Sequence, residues 1–251
     1  RLTQEIIMAA VNQITTLRLP DGATVAFVDW QDKPLFSTLD LLSGFTDSEL
    51  DCFTYVPGDT VPSTSNVTVS RTSTERDTNV STPGSMASTE EMLVYAIKPI
   101  YRETRTSDNG PTELDVLEIA EGGQPIPAVQ RLAVLNNFLT LRLIVSQKVE
   151  QEATLDWFNS GFGPFLGGSV DSSATAVANR GSNGLPSQEA VRSYVIPVHI
   201  GGQEKYRVSL INGSGSPVPF GNDLATPPVE DQQIVMTCTI HLDGLYKRPV
   251  S

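Results

Sequence analysis

The side chains able to carry acid–base or nucleophilic chemistry are few in this chain of 251 residues. The two histidines, His199 and His241, lie in segments typical of β-strands, and neither belongs to a recognisable catalytic motif. The nearest match to a Gly-x-Ser-x-Gly nucleophile motif, at residues 212–216, has the composition of a turn. We therefore interpret both histidines as structural strand residues and predict that the protein is not an enzyme.

Acidic side chains form two small groups that could offer oxygen ligands to a hard cation such as Ca²⁺. One group is Asp29 with Asp32, and the other is the alternating run of Asp47, Glu49 and Asp51. Neither lies in a twelve-residue calcium-binding loop, so the sequence favours a solvated acidic surface and predicts no metal and no other cofactor. A carboxylate pair suited to glycoside hydrolysis stays open, because a sequence does not show the distance between two side chains.

The most unusual stretch of the chain is residues 155–168, which places Trp157, Phe158, Phe162 and Phe165 among four glycines and a proline. The glycines favour a surface loop, whereas the rings favour burial. Two interpretations follow. The rings either plug one end of the fold or form an exposed contact surface of the kind that anchors protein interfaces.

The charge balance limits the partners that the chain can have. There are 17 basic and 29 acidic residues, which give a net charge of −12 and an isoelectric point of about 4.5. An acidic surface repels phosphate, so we expect no nucleic-acid groove and no anionic membrane surface as the main partner. No apolar run approaches the length of a membrane span, so we predict no transmembrane segment.

The two cysteines, Cys52 and Cys238, are too few for a disulfide framework, and their surroundings lack the Cys/His spacing of a zinc site. Cys238 falls on the apolar side of an alternating segment, which predicts a buried thiol. Whether the two cysteines pair with each other stays open at this point.

Strand signals dominate the second half of the chain. Residues 233–242 alternate between apolar and polar side chains, and residues 139–145 do the same, as expected for strands with one buried face. Residues 193–200 and 205–211 flank the four-residue turn Gly-Gly-Gln-Glu, which predicts a β-hairpin. Residues 37–42 and 47–53, in contrast, are predicted to form short helical turns.

The remaining segments define the predicted domain organisation. Residues 1–18 form an N-terminal helix or arm with apolar residues at helical spacing, among which Ile6 and Val11 are candidate interface residues. Residues 19–251 form one domain with two long insertions rich in serine and threonine, at 60–90 and 169–189. Eight or nine strand candidates without a βαβ rhythm predict a mainly β fold, an antiparallel β-sandwich or jelly roll with long loops.

In this pattern the chain resembles the jelly-roll capsid proteins of icosahedral viruses. The resemblance is architectural and depends on the strand-rich residues 92–101, 139–145, 193–211 and 233–242. It implies a structural subunit of the virion that forms homo-oligomers and contacts copies of itself and other virion proteins. The chain lacks the basic N-terminal arm with which many coat proteins gather RNA, so little direct genome contact is expected.

An alternative of a different class is a secreted β-sandwich module: a carbohydrate-binding or adhesin-type domain, or a glycosidase. In that case the rings of residues 155–168 would stack on sugars, and acidic residues would bind calcium or perform acid–base catalysis. Glycan binding that depends on Trp157 would favour this alternative, whereas particles of megadalton size would favour the capsid protein.

Overall fold

The structure is a computed structural model that describes residues 16–18, 22, 24–26, 30–68, 70–107, 110–113, 135–158, 193–218 and 233–247. Within these residues the fold is mainly β. Its strands are β1 (Thr16–Arg18), β2 (Thr24–Ala26), β3 (Trp30–Asp32), β4 (Leu35–Leu41), β5 (Glu49–Cys52), β6 (Glu91–Ser107), β7 (Gly110–Glu113), β8 (Leu139–Val145), β9 (Lys148–Thr154), β10 (Val198–Ile200), β11 (Tyr206–Asn212) and β12 (Gln233–Lys247). Residues 135–138 are helical, and a short 3-10 helix, Leu155–Trp157, follows β9.

Two antiparallel sheets account for most of the strands. In the six-stranded sheet the long strands β6 and β12 pair along their whole length. β3 and β4 share the other side of β12, and β10 and β7 pair with the two ends of β6. The four-stranded sheet has the order β5-β11-β8-β9, and β1 pairs separately with β2. Both large sheets are wholly antiparallel, which is consistent with the predicted β-sandwich.

One hydrophobic core draws residues from both large sheets. The alternation predicted for β8 is confirmed, because every second side chain is buried, whereas on β12 the apolar residues from 236 to 242 are buried and Thr237 and Thr239 between them are buried as well. These buried apolar side chains are Leu139, Leu141, Leu143 and Val145 on β8, and Met236, Cys238, Ile240 and Leu242 on β12. Each fully buried aliphatic side chain contributes on the order of 2 kcal/mol to folding, so the two strands are main supports of the core.

A bulge bends the six-stranded sheet at Gly244, where β12 skips one residue of β6. A Cβ atom at this position would lie 1.9 Å from the backbone oxygen of Leu93, so only glycine fits. This bulge does not involve Pro99 of β6. Pro99 pairs with Ile240 and lies between the parts of β6 that pair with β10 and β7. Its missing N–H therefore interrupts no described strand pairing on that side.

The structure overturns two predictions about local elements. Residues 37–42 and 47–53 are not helical turns, because most of them lie in strands β4 and β5. The hairpin predicted around residues 201–204 is also wrong. β10 pairs with β6 in one sheet, while β11 pairs with β5 and β8 in the other. The turn is real, but it connects the two sheets instead of two neighbours in one sheet.

The predicted insertion at 60–90 does not behave as an exposed excursion. Val61, Val80 and Met86 are buried, and isolated bridges join Thr78 and Ser63 of this segment to β4. The segment packs because its polar side chains and backbone satisfy the outer edge of β4. The second predicted insertion, 169–189, lies outside the described residues.

At the N-terminus, the structure describes only the last three residues of the predicted arm, 1–18. These residues form β1, which pairs with β2, so this end of the segment is a strand instead of a helix. β-branched and polar residues around position 16 favour an extended backbone over a helix. Ile6 and Val11 lie outside the described residues, and their predicted interface role stays a prediction.

Candidate interaction surface

The structure places the two described aromatics of residues 155–168 in opposite environments. The backbone N–H of Phe158 donates to the carbonyl of Leu155, which closes the 3-10 helix. Phe158 is only 2 % exposed and belongs to the core, whereas the adjacent Trp157 is 47 % exposed. Phe162 and Phe165 lie outside the described residues. One ring therefore plugs the sandwich while its neighbour faces solvent.

Trp157 belongs to a group of exposed apolar side chains on the β8–β9 hairpin. Of the five large exposed hydrophobic residues in the described parts of the chain, Phe138, Val149 and Trp157 lie on this hairpin or directly beside it. Phe138 precedes β8 and Trp157 follows β9, so the pairing of the two strands brings both rings to the same end. We call these three residues the hairpin surface. The other two exposed hydrophobic residues, Val195 and Ile196, precede β10.

Charged side chains line the outer face of the same sheet. Arg142 of β8 donates two hydrogen bonds to Glu152 of β9, at 2.8 and 3.2 Å, and these bonds hold the pKa of Glu152 below its usual value. Between the neighbouring strands β11 and β5, Arg207 lies 3.0 Å from a carboxylate oxygen of Glu49 and 3.8 Å from one of Asp51. Exposed ion pairs add little to stability, so this face chiefly presents a fixed pattern of charges.

A two-residue turn with an uncommon backbone closes the hairpin. Ser146 and Gln147 both have positive φ, 46° and 75°, which the type I′ turn requires and which glycine or asparagine usually supplies. The N–H of Ser146 donates to the carbonyl of Lys205 at 2.9 Å, and its hydroxyl donates to Glu204 at 2.6 Å. The second carboxylate oxygen of Glu204 accepts a bond from the N–H of Gly201. The hairpin tip is thus tied to the connection between β10 and β11.

Both histidines make structural contacts. Nε2 of His199 lies 3.2 Å from Glu91, whose other oxygen accepts a hydrogen bond from Lys247. Burial raises the pKa of Glu91, but the bonds from Lys247 and His199 outweigh this effect and lower it overall. His241 stacks on Phe36 with ring centroids 5.4 Å apart. These contacts join β10, β6 and β12 in the first case and β12 to β4 in the second.

A buried ion cluster joins the 60–90 segment to the six-stranded sheet. The guanidinium of Arg71 donates to Asp40 at 2.7 and 3.2 Å and to Asp77 at 2.6 Å. Thr237 also donates to Asp40, at 3.0 Å. All three charged side chains are largely buried. Because both carboxylates are engaged by the same arginine, this pair has the geometry of a structural cluster and not of an acid and base facing a substrate.

The acidic run that could have bound a cation is engaged in protein contacts. Asp47 accepts hydrogen bonds from the N–H and hydroxyl of Ser65, and Glu49 and Asp51 face Arg207. Within the part of the chain that the structure describes, no group of three acidic, histidine or cysteine residues is placed to hold a metal ion. Asp32 ends β3, and Asp29 lies outside the described residues.

A cavity of about 460 Å³ opens beside the hairpin tip and was not foreseen from the sequence. It is lined by Cys52, Thr54, Gly84, Ile144, Gln147, Lys205, Tyr206 and Arg207. Both cysteines are free and buried, and burial raises the pKa of the Cys52 thiol well above its usual value. Cys52 and Tyr206 belong to the core, whereas Ile144 is half-buried on the outer face of β8 and is the apolar side chain that the cavity can present.

Comparisons with protein-family models, curated proteins and solved structures found no match for this chain. In the described residues, no helix is both long and apolar enough to cross a membrane.

Proposed function

We propose that the protein is a structural subunit that assembles with copies of itself, and that its role is that of a jelly-roll coat protein in a virion. The observation that carries this proposal is the hairpin surface. Phe138 and Trp157 are exposed at the same end of one hairpin, Val149 is exposed near its turn, and exposed apolar patches mark interaction sites in folded proteins.

The chemistry of the hairpin surface suits a contact between proteins. Large aromatic side chains each bury roughly 150–250 Å² in an interface, and a rim of charged groups fixes the orientation of the partner. The Arg142–Glu152 pair lies on the same hairpin and supplies such a rim. A stable interface buries at least roughly 1,200 Å² in total, so the hairpin surface would form the centre of a larger contact.

The virion role draws on the fold and on the charge of the chain. Two antiparallel sheets around one core are compatible with the jelly-roll architecture of coat proteins. A net charge of −12 favours contacts with other proteins over direct contact with the genome. In such a shell the particle would be held by repeated contacts between identical subunits and their virion partners.

The proposal is tested with the double variant Phe138→Ala/Trp157→Ala. We expect at least a tenfold lower yield of assembled particles, measured by light scattering and electron microscopy, with cooperative thermal unfolding retained. The matched control is Val195→Ala/Ile196→Ala, which removes two exposed apolar side chains away from the hairpin. Intact particles from the hairpin double variant, or a wild-type chain that stays monomeric at high concentration, would overturn the proposal.

The half-exposed indole of Trp157 also favours a second candidate, a carbohydrate-binding or adhesin-type module in which the ring stacks on a sugar. Binding to glycans by the monomer would support this candidate if Trp157→Ala abolished it and Phe138→Ala did not. The glycosidase form of this alternative would need a further pair of carboxylates, because Arg71 engages both Asp40 and Asp77.

A further inference from the structure

We propose that the cavity beside the hairpin tip is a binding site for a small carboxylate that carries a compact apolar body. The carboxylate would lie against Lys205 and the apolar body against Ile144. The proposal does not depend on self-assembly, because the cavity lies within one copy of the chain.

The distribution of lysine partners points to Lys205. The chain has five lysines, and four of them make described contacts. Lys98, Lys148 and Lys247 each pair with a carboxylate, and Lys33 lies over the ring of Tyr246. Lys205 is the one for whose side chain the described residues supply neither an ion pair nor a ring contact, although the chain carries an excess of acidic groups. Lys205 is exposed and lines the cavity.

Two further hydrogen-bond donors stand at the same opening. Thr54 and Gln147, which carry a hydroxyl and a side-chain amide, line the cavity, and both residues are exposed. Neither side chain has a hydrogen-bond partner in the described parts of the structure. Arg207 also lines the cavity, but its guanidinium is already engaged by Glu49 and Asp51. An ammonium, a hydroxyl and an amide at one rim form a donor set that suits a carboxylate.

The backbone around the cavity is firmly held. Ile144 is half-buried on the outer face of β8, whereas the side chains of Tyr206 and Cys52 are buried on the core side of the sheet. The N–H of Tyr206 donates to the carbonyl of Gly84 at 3.0 Å, and the bond from Ser146 to the carbonyl of Lys205 fixes the hairpin tip. An apolar surface such as that of Ile144 with a few polar groups beside it is the usual composition of a small-molecule site.

The test uses 4-phenylbutanoate as the probe, with 4-phenylbutan-1-ol and 4-phenylbutylamine as its neutral and cationic counterparts. We expect the carboxylate to shift the methyl resonances of Ile144 in NMR titrations and to bind about fivefold or more tightly than the alcohol or the amine. Lys205→Met should weaken carboxylate binding by a similar factor. The control Lys148→Met removes an exposed lysine next to Gln147 that does not line the cavity, and should leave binding unchanged.

The same titrations separate two sources of the carboxylate. If Ile144 shifts with protein concentration alone and Lys205→Met abolishes the shift, a second copy supplies the carboxylate. If Ile144 shifts only when the probe is added, the site takes a free acid. Equal affinity for the acid and the alcohol, equal effects of Lys205→Met and Lys148→Met, or no shift of Ile144 under either condition would overturn the proposal.

Discussion

The strands β4 and β9 are each seven residues long and each lie at the side of a sheet, but the chain treats their outer edges in different ways. Residues 55–79 cover the edge of β4. β9 pairs only with β8 among the described residues, and most of its side chains are exposed. An open strand edge invites pairing with another chain, so the two strands show two solutions to one problem.

Residues 36, 38 and 40 direct their N–H and carbonyl groups away from β12, and the covering segment forms hydrogen bonds with all of them. It also accepts a hydrogen bond from the N–H of residue 42. The hydroxyl of Tyr55 accepts from the N–H of Thr38 at 3.0 Å and donates to its carbonyl at 2.9 Å. The other bonds join Phe36 to Asn79, Asp40 to Pro62 and Thr64, and Leu42 to Thr64. The buried cluster around Arg71 fastens this cover to the sheet.

At β9, charge and irregularity replace a cover. Lys148, Glu150 and Glu152 alternate along the strand, and a register shift between Leu143 and Ile144 makes Glu150 the unpaired residue of a bulge. Charged side chains and bulges are both known to discourage edge-to-edge pairing. The comparison indicates that a partner at the β8–β9 hairpin would be held by side chains such as Trp157, and not by an added strand.

The largest effect on stability is expected when the ion pairs of Arg71, which hold the covering segment on the sheet, are removed. Arg71→Leu would leave Asp40 and Asp77 as largely buried carboxylates without their counter-ion. We expect a loss of about 3 kcal/mol in the free energy of unfolding, near the lower end for a broken buried pair because Asp77 is partly exposed. Urea unfolding measures this loss. Arg142→Leu, on the exposed face beside β9, is the control and should change stability little; equal losses would contradict the comparison.

The next effect concerns a single hydroxyl in the cover. Tyr55→Phe would remove both bonds to the backbone of Thr38 and leave a buried N–H and carbonyl unsatisfied. We expect a loss of about 1–3 kcal/mol in the free energy of unfolding. The control is Tyr194→Phe, because the hydroxyl of Tyr194 is buried and has no hydrogen-bond partner among the described residues. Its removal should be neutral or stabilising, and a larger loss there than at Tyr55 would refute this account of the edge.

The cover should also respond to acid. Burial raises the pKa of Asp77, but hydrogen bonds from Arg71 and Thr74 outweigh it and lower the pKa below its usual value. The resulting stabilisation is complete above the unfolded carboxyl pKa of about 4 and is lost as the pH falls through the lower folded value. We expect the free energy of unfolding to decline below about pH 4, with a shallower decline for Asp77→Asn. Glu91 shifts in the same direction, so some dependence should remain. Parallel curves for both proteins would contradict the assignment.

The same contrast explains which strands the sequence could predict. β8 and β12 have one side toward the core and more polar residues on the other, so their alternation is visible in the sequence. β4 is buried on both sides because the cover packs over it, and its outer side carries Thr38 and Asp40, which satisfy polar partners. A buried strand with polar residues has neither an alternating nor a uniformly apolar pattern. For this reason the sequence of residues 37–42 predicts a helical turn where the structure has β4.

Other features could not be predicted because they depend on contacts between residues that are distant in the sequence. The turn at residues 201–204 has the composition of a hairpin, but only the distant strands β6 and β8 determine that β10 and β11 enter different sheets. At the interaction surface, Trp157 and Phe158 are adjacent aromatics, and the 3-10 helix decides which one is buried. The sequence could identify the aromatic segment but not the exposed ring. The sequence does not single out Lys205, because this lysine differs from the others only in that its side chain has no ion pair or ring contact among the described residues.

The smallest effect on the folded monomer is expected at β9. Glu150→Val/Glu152→Val would remove two charges from its edge and extend the apolar surface that begins at Val149. Because both side chains lie at an open strand, we expect little change in unfolding but faster aggregation, followed by light scattering and thioflavin fluorescence. The control is Glu75→Val, which removes an exposed acid from the cover of β4. If both variants aggregate equally, net charge and not the edge controls solubility. If only the β9 variant aggregates, the charges of Glu150 and Glu152 protect the open edge of β9, whereas hydrogen bonds to a covering segment protect the edge of β4.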